Sequence, residues 1–125
     1  MIGPRPARGR AAHRLGVAAE TMASDALEAA GWVIKARRHR TAAGEIDLIA
    51  EHAGLLAFIE VKARPTLAGA AWSLGPKQRA RLLAAAEIVI AEHPDWGPAG
   101  MRFDVLLVDA AGSVRRIEDA FRLES

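Results

Sequence analysis

The sequence predicts an α/β domain in which helices pack on a mixed β-sheet, and three observations support that prediction. The chain has 125 residues, which most simply form one domain with a substantial hydrophobic core. Hydrophobic residues make up 51% of the chain and charged residues 26%, as is typical of globular proteins. The segments read in order as helix, strand, strand, strand, helix, strand and strand. That order favours helices packed on a mixed sheet over a repetitive βαβ chain.

The N-terminal third predicts a flexible arm, a helix and a strand. Residues 1–9 hold two prolines, two glycines and two arginines, and we expect them to form a basic arm in front of a single domain at 10–125. Gly31 is suited to cap a helix at 10–30, and "WVIKARRHR" follows as a strand. The predicted helix has an apolar stripe at 3.6-residue spacing, formed by Leu15, Ala18, Ala19, Met22, Ala26 and Ala30.

Two apolar stretches in the centre predict a β-hairpin. "GEIDLIA" and "LLAFIEVKA" are joined by "EHAG", and their imperfect alternation is typical of strands buried on both faces. If the turn lies at 53–54 and closes tightly, Ile49 faces Phe58 and Asp47 faces Glu60. Because side chains alternate between the faces of a strand, one face then carries four charges. They are Glu45, Asp47, Glu60 and Lys62.

The C-terminal half predicts a loop, a helix and two strands. Residues 64–75 contain proline, glycine and small side chains, which favour a loop that could act as a flap. Pro76 opens the second helix at the first-turn position that proline prefers, and "HPDWGPAG" ends it. Its apolar face consists of Leu82, Leu83, Ala86, Val89 and Ile90. "RFDVLLV" predicts a buried strand and "SVRRIE" a last one.

Composition excludes several classes of site and protein. The chain has no cysteine, which excludes disulfides, zinc-thiolate sites and thiol catalysis. It has no apolar run of about 18 residues, so we expect no transmembrane helix. The basic N-terminus is not followed by the apolar segment of a secretory signal. We therefore expect a cytoplasmic protein with no membrane partner.

Charge is unevenly distributed along the chain. Residues 1–40 carry eight Lys or Arg against three acids, or +5, and the remainder carries nine against twelve, or −3. A basic N-terminal third beside an acidic centre suits a polyanion that one part binds and another part processes. A globular protein with an arginine-rich tail fits the same distribution, and charge alone leaves both interpretations open.

The opposed carboxylates of the predicted hairpin require an explanation. At about 5 Å and an effective dielectric near 20, two carboxylates repel by about 3 kcal/mol, a large part of a typical stability of about 5–15 kcal/mol. One explanation is an ion-paired cluster of Asp47, Glu60 and Lys62 at a partly hydrated sheet end. The other is a magnesium-type site, because hard cations prefer carboxylate oxygens. Such a cation with a nearby lysine suits phosphodiester cleavage.

The spacing of these residues resembles a known nuclease core. Asp47, followed thirteen residues later by Glu60, Val61 and Lys62, resembles the D…ExK core of restriction-endonuclease-like nucleases. "GEIDLIA", "FIEVKAR", Lys77 at the start of a helix and "RFDVLLV" occur in the order seen in the YraN-like family of small endonuclease-like proteins. The match spans about residues 12–121. It implies a restriction-endonuclease-like three-layer αβα sandwich with a central mixed β-sheet.

The resemblance also implies roles for individual residues. It gives metal-ligand roles to Asp47, Glu60 and the backbone carbonyl of Val61, with Mg²⁺ or Mn²⁺ as the metal. Lys62 becomes the catalytic lysine. Glu20, in "GVAAE", matches the acidic residue that the family places on its first helix. Many nucleases of this type act as dimers, so the resemblance leaves a homodimer open, and the sequence identifies no interface.

Basic and polar residues near this core are candidates for binding nucleic-acid phosphates. Some lie near the start of the second helix, where free N–H groups favour a phosphate, and some relatives also use a residue there, Lys77 or Gln78. A solvated polar face explains those residues equally well. Others enter the hairpin beside the proposed site, and contacts from them would make binding salt-sensitive. The candidates are Arg37, Arg38, Arg40, Arg64, Lys77, Gln78 and Arg81.

Three functional hypotheses follow. The first is a metal-dependent endonuclease acting on DNA, including branched or otherwise structured DNA. The second is a nucleic-acid-binding module with little or no catalysis. The third is an interaction domain in which the charged cluster is only ion-paired.

Overall fold

The computed structural model of the protein describes residues 18–67 and 75–121, with no side-chain detail at 118–121. The predicted basic arm at 1–9, the first part of the first helix and the centre of the predicted flap lie outside the described residues. No helix of the described residues is long and apolar enough to cross a membrane.

The described chain forms a five-stranded mixed sheet and two helices, which confirms the predicted α/β class and element order. The sheet has the strand order β1-β2-β3-β4-β5, and only β3 and β4 run parallel. Helix α1 covers residues 18–29 of the described part, and α2 spans Pro76–Glu92. The strands are β1 Val33–Thr41, β2 Gly44–His52, β3 Leu55–Ala63, β4 Gly100–Val108 and β5 Val114–Phe121.

The two helices cover opposite faces of the sheet. Ala57 and Ile59 pack with α1, whereas Phe58 between them packs with α2. Neighbouring residues of a strand point to opposite faces, so the sheet is the middle of three layers, as predicted. Each face buries a separate apolar cluster, and burying a large apolar side chain contributes roughly 1.5–3 kcal/mol. The two-sided core explains why the central strands read as nearly continuous apolar runs.

The β2–β3 hairpin has the predicted turn and register in its apolar part. Ala53 and Gly54 have φ values of 52° and 79°, which is the geometry of the tight turns that join antiparallel strands. Ile49 pairs with Phe58 as predicted. The hairpin therefore fixes which residues of β2 and β3 approach each other.

Helix α2 connects two parallel strands. Because β3 and β4 run in the same direction, the chain must return along the sheet between them, and α2 provides that return. The carboxyl end of β3 and the N-terminal turn of α2 consequently lie close together, as the contact between Glu60 and Gln78 demonstrates. This connection brings polar residues of α2 to one end of the sheet.

Strand β4 also carries a buried ion pair on the α1 side. The Asp104 side chain is fully buried, and its Oδ2 lies 3.0 Å from Arg102 Nη2 and 3.1 Å from Arg102 Nε. The Arg102 guanidinium lies 5.3 Å from the ring centre of Trp32, within the range of a cation–π contact. The polar residues of "RFDVLLV" therefore hold the segment after α1 against the sheet.

A glycine in the α2–β4 loop provides a test of this packing. Gly97 has a φ of 64°, and a Cβ there would lie 2.7 Å from Leu56 Cβ and 2.9 Å from Gly100 O. We expect Gly97→Ala to lower the free energy of unfolding by about 1–3 kcal/mol, because it combines backbone strain with overpacking. Urea denaturation measures the change.

Gly75→Ala is the matched control, since a Cβ at Gly75 meets nothing within 4 Å. It should lower stability by less than about 1 kcal/mol, because Gly75 is the N-cap of α2, where alanine is somewhat less favourable than glycine. An equal loss in both variants would contradict the predicted clash at Gly97.

Candidate functional site

The candidate site begins where the β2–β3 ladder ends. The paired positions run from His52–Leu55 to Leu48–Ile59, so Asp47 and Glu60, predicted to face each other, lie just past the last pair. Asp47 Oδ2 accepts a hydrogen bond from the backbone N–H of Val61 at 2.8 Å. The Asp47 side chain thus accepts a hydrogen bond from a backbone N–H that a continued ladder would use. This hydrogen bond anchors the Asp47 carboxylate at the end of β3.

The predicted alternation fails in this part of β2. Ile46 and Ile49 are three residues apart, yet both join the cluster on the α2 side. Strict alternation would place them on opposite faces, so the strand departs from regular geometry between them, at the position of Asp47. The prediction that Glu45, Asp47, Glu60 and Lys62 share one face is therefore wrong for the start of β2.

Glu60 and Lys62 keep the relation predicted from their spacing. Lys62 Nζ lies 3.2 Å from Glu60 Oε1. The Nε2 of Gln78, in the first turn of α2, donates to the same oxygen at 3.3 Å. The Glu60 side chain is only 8% exposed, so these two donors contact a nearly buried carboxylate.

Each of the two carboxylates keeps one oxygen for another ligand. Val61 N–H engages Oδ2 of Asp47, and Lys62 and Gln78 engage Oε1 of Glu60. Within 18–67 and 75–121, no hydrogen bond reaches Asp47 Oδ1 or Glu60 Oε2. Oxygen ligands of this type suit Mg²⁺, which keeps several waters when it binds to proteins.

Burial makes the ionised form of both carboxyls costly. It raises the pKa of Asp47, against the hydrogen bond from Val61 and the charge of Lys62. Burial also raises the pKa of Glu60, and repulsion by Asp47 raises it further while Lys62 lowers it. The lysine therefore compensates only part of the cost. A divalent cation between the two groups would remove more of it.

A second group of charges joins α1 to the start of β2. Arg38 Nε lies 3.8 Å from Glu20 Oε2 and 3.7 Å from Glu45 Oε1, and Arg40 Nε lies 3.5 Å from Glu45 Oε2. Glu45 also raises the pKa of Asp47 through its charge. Glu45 had no predicted role of its own, although its position two residues before Asp47 was the available signal.

The other predicted site residues occupy different surroundings. Arg37 hydrogen-bonds to Ser24 and lies 3.6 Å from Glu28, so it attaches β1 to α1. Arg64 donates from Nη1 to the carbonyl of Ala63 at 2.8 Å.

On α2, Lys77 and Arg81 are both exposed. A Cβ at Gly44 would lie 2.9 Å from Arg81 Cδ, so the absent side chain of Gly44 gives Arg81 room across the start of β2. The charge of Arg81 lowers the pKa of Glu60. Arg81 is therefore the predicted basic residue of α2 that acts on the carboxylate site.

Comparison with known proteins identifies similar chains. A family model described as "Uncharacterised protein family UPF0102" matches residues 19–108. A UPF0102 protein of Granulibacter bethesdensis is 62% identical over 117 residues, which cover 94% of this chain and 74% of the relative. Another, from Azorhizobium caulinodans, is 50% identical over 97% of this chain and 92% of its own length. A UPF0102 protein of Acidiphilium cryptum is 50% identical over 94% and 91%, respectively.

The raised pKa values predict a specific pH dependence of stability. The ordinary pKa values are 3.8 for Asp47 and 4.5 for Glu60, and both are raised in the folded protein. Above the ordinary pKa values, the folded state binds more protons than the unfolded state. The free energy of unfolding therefore falls as the pH rises from the ordinary to the raised pKa values. Without metal, Asp47→Asn should raise the free energy of unfolding at pH 7.5 by about 0.5–2 kcal/mol. The gain should shrink as the pH approaches 4.

Urea denaturation in the presence of EDTA at several pH values measures this effect. Glu87→Gln, which replaces an exposed acid of α2, is the control and should track the wild type. A less stable Asp47→Asn variant at pH 7.5 would contradict the interpretation that the buried carboxylate is costly.

Proposed function

Since the chain belongs to the UPF0102 family, which is the YraN-like family, we propose that it is a metal-dependent endonuclease that hydrolyses DNA phosphodiester bonds. We propose branched or otherwise structured DNA as its substrate. The observation that carries the proposal is a pair of carboxylates at the end of the β2–β3 hairpin, of which Glu60 is buried and Asp47 half-buried. Each has an oxygen that accepts no hydrogen bond from the described residues, and both lie beside Lys62.

The residues at this end of the sheet fit a hard divalent cation. Asp47 Oδ1, Glu60 Oε2 and the backbone carbonyl of Val61 would hold Mg²⁺ or Mn²⁺. When bound, such a cation lowers the pKa of a coordinated water and stabilises charge on the phosphate. Val61 N–H holds Asp47 in place, and Gln78 Nε2 holds Glu60.

Lys62 would act on the developing charge of the phosphate. Its side chain is 27% exposed and its Nζ lies 3.2 Å from Glu60 Oε1, so the lysine is anchored and still partly accessible. A fixed cation that faces a developing negative charge stabilises the transition state more than the ground state. Glu20 would support the site indirectly, because Arg38 links it to Glu45 at the start of β2.

The basic residues around the carboxylates would bind the DNA backbone. Arg38 and Arg40 are 46% and 89% exposed, and they flank the start of β2 from the β1 side. Lys77 and Arg81 approach from α2 and are also exposed. Contacts to phosphates from these side chains would make affinity fall with salt concentration.

One observation favours a second candidate function, a nucleic-acid-binding module without catalysis. Among the described residues, no group of three or more histidine or acidic side chains could hold a metal ion. With only two carboxylates and a carbonyl, the metal site would depend on water and on the substrate for its remaining ligands. The two functions differ in whether the protein binds Mn²⁺ without DNA.

Cleavage assays test the first candidate. Purified protein with Mg²⁺ or Mn²⁺ should cut fluorescently labelled branched DNA. Asp47→Asn and Lys62→Met should each lower the rate by at least about a hundredfold, because one removes a metal ligand and the other removes the fixed cation. Circular dichroism checks that both variants fold.

Asp95→Asn, which replaces an exposed acid in the loop after α2, is the control and should cleave like the wild type. Equal cutting by the wild type and both site variants would indicate a contaminating nuclease. If calorimetry detects salt-dependent DNA binding but no Mn²⁺ binding, the binding module replaces the enzyme.

A further inference from the structure

Arg38 has an unusual backbone conformation for a residue in a strand. Its φ is 48°, in the left-handed region, which costs a residue with a side chain roughly 1–2 kcal/mol. The neighbouring pairs of the β1–β2 ladder are Arg37–Leu48 and His39–Ile46. Arg38 therefore lies opposite Asp47, where β2 also departs from regular geometry. Strain of this kind persists only where the surroundings fix it, and it concentrates at functional sites.

The guanidinium of Arg38 lies between carboxylates of two different elements. Its Nε is 3.8 Å from Glu20 of α1 and 3.7 Å from Glu45 of β2. These distances are too long for hydrogen bonds, so the attraction is ionic and not fixed in direction. Within the described residues, the two Nη groups of Arg38 form no hydrogen bond, and its side chain is 46% exposed.

Three carboxylates lie around Arg38. The guanidinium lies beside Glu20 and Glu45, and Arg38 is opposite Asp47 across the β1–β2 ladder. A divalent cation at Asp47 and Glu60 would repel Arg38 and weaken the attraction that holds the guanidinium near Glu20 and Glu45.

On the basis of the proposed metal site, we propose that Arg38 is a displaceable counter-ion that couples metal binding to DNA binding. Without a divalent cation, its guanidinium neutralises Glu20 and Glu45. When the cation binds at Asp47 and Glu60, the guanidinium turns to a phosphate of the DNA. Guanidinium groups suit this exchange, since their donors match phosphate as well as carboxylate oxygens.

Arg40 provides a matched comparison on the same strand. It pairs with the same Glu45 at 3.5 Å but is 89% exposed, and an ion pair so exposed contributes little. It also lacks the positive φ of Arg38. Asparagine tolerates positive φ better than arginine does, so Arg38→Asn removes the charge without adding strain. Arg40→Asn removes an equal charge two residues away.

Calorimetric titration with Mn²⁺ in the absence of DNA is the first measurement. We expect Arg38→Asn to bind Mn²⁺ at least about fivefold more tightly than the wild type, since the competing cation is gone, and Arg40→Asn to change affinity by less than about twofold. Equal effects of both substitutions, or an unchanged affinity in Arg38→Asn, would overturn the proposal for Arg38. No Mn²⁺ binding by the wild type would instead reject the metal site of the proposed function.

The second measurement is the effect of Mn²⁺ on DNA affinity, in a Lys62→Met background that prevents cleavage. With Arg38 present, Mn²⁺ should strengthen binding to a labelled DNA branch at least about fivefold more than it does in the Arg38→Asn variant. Arg40→Asn should weaken DNA binding itself, because Arg40 is also a proposed phosphate contact, but it should retain the full enhancement by Mn²⁺. If Mn²⁺ strengthens binding equally with and without Arg38, the residue is a constant phosphate contact and the coupling is absent.

Discussion

The hydrogen bond from Val61 N–H to Asp47 is the contact on which the candidate site depends. In this bond, a side chain of β2 accepts from a backbone N–H at the end of β3, at the point where the two strands stop pairing. Without it, Asp47 would lack an anchor, and its carboxylate would be free to turn away from Glu60. The bond also satisfies a polar group at little cost, whereas a buried N–H without a partner costs about 1–3 kcal/mol.

The three layers contribute different parts to this end of the sheet. The hairpin supplies Asp47, Glu60 and Lys62, while α2 supplies Gln78 and Arg81 from the other side of the β3–β4 connection. Helix α1 supplies Glu20, which forms an ion pair with Arg38 of β1. The two apolar clusters lie between these contributions and hold the backbones in place. A stable core on both faces allows the protein to retain two carboxyls whose ionised forms are costly.

Short sequence patterns predicted the features that depend on residues close to each other in the chain. The turn at 53–54 and the Ile49–Phe58 pair were predictable, because a tight hairpin has few registers that keep its apolar residues buried. Pro76 marked the start of α2 for a similar reason. The irregular geometry at Asp47 and Arg38 could not be predicted, since a side chain that replaces a ladder contact leaves no periodic signal. The attachment of Arg37 to Ser24 and Glu28 depends on how α1 meets β1, which is a tertiary property.

The irregular backbone of β1 has a consequence for self-association. In the sheet that the described residues form, β1 is an edge strand. Its register shifts between Ile34 and Ala36, and Arg38 has a positive φ. A regular exposed edge offers an evenly spaced row of N–H and C=O groups on which another chain can polymerise, and bulges and cations disrupt that row. The deformation that shapes the candidate site therefore also protects this edge against the growth of intermolecular sheets. A substitution that straightened β1 would therefore both disturb the candidate site and increase the tendency to aggregate.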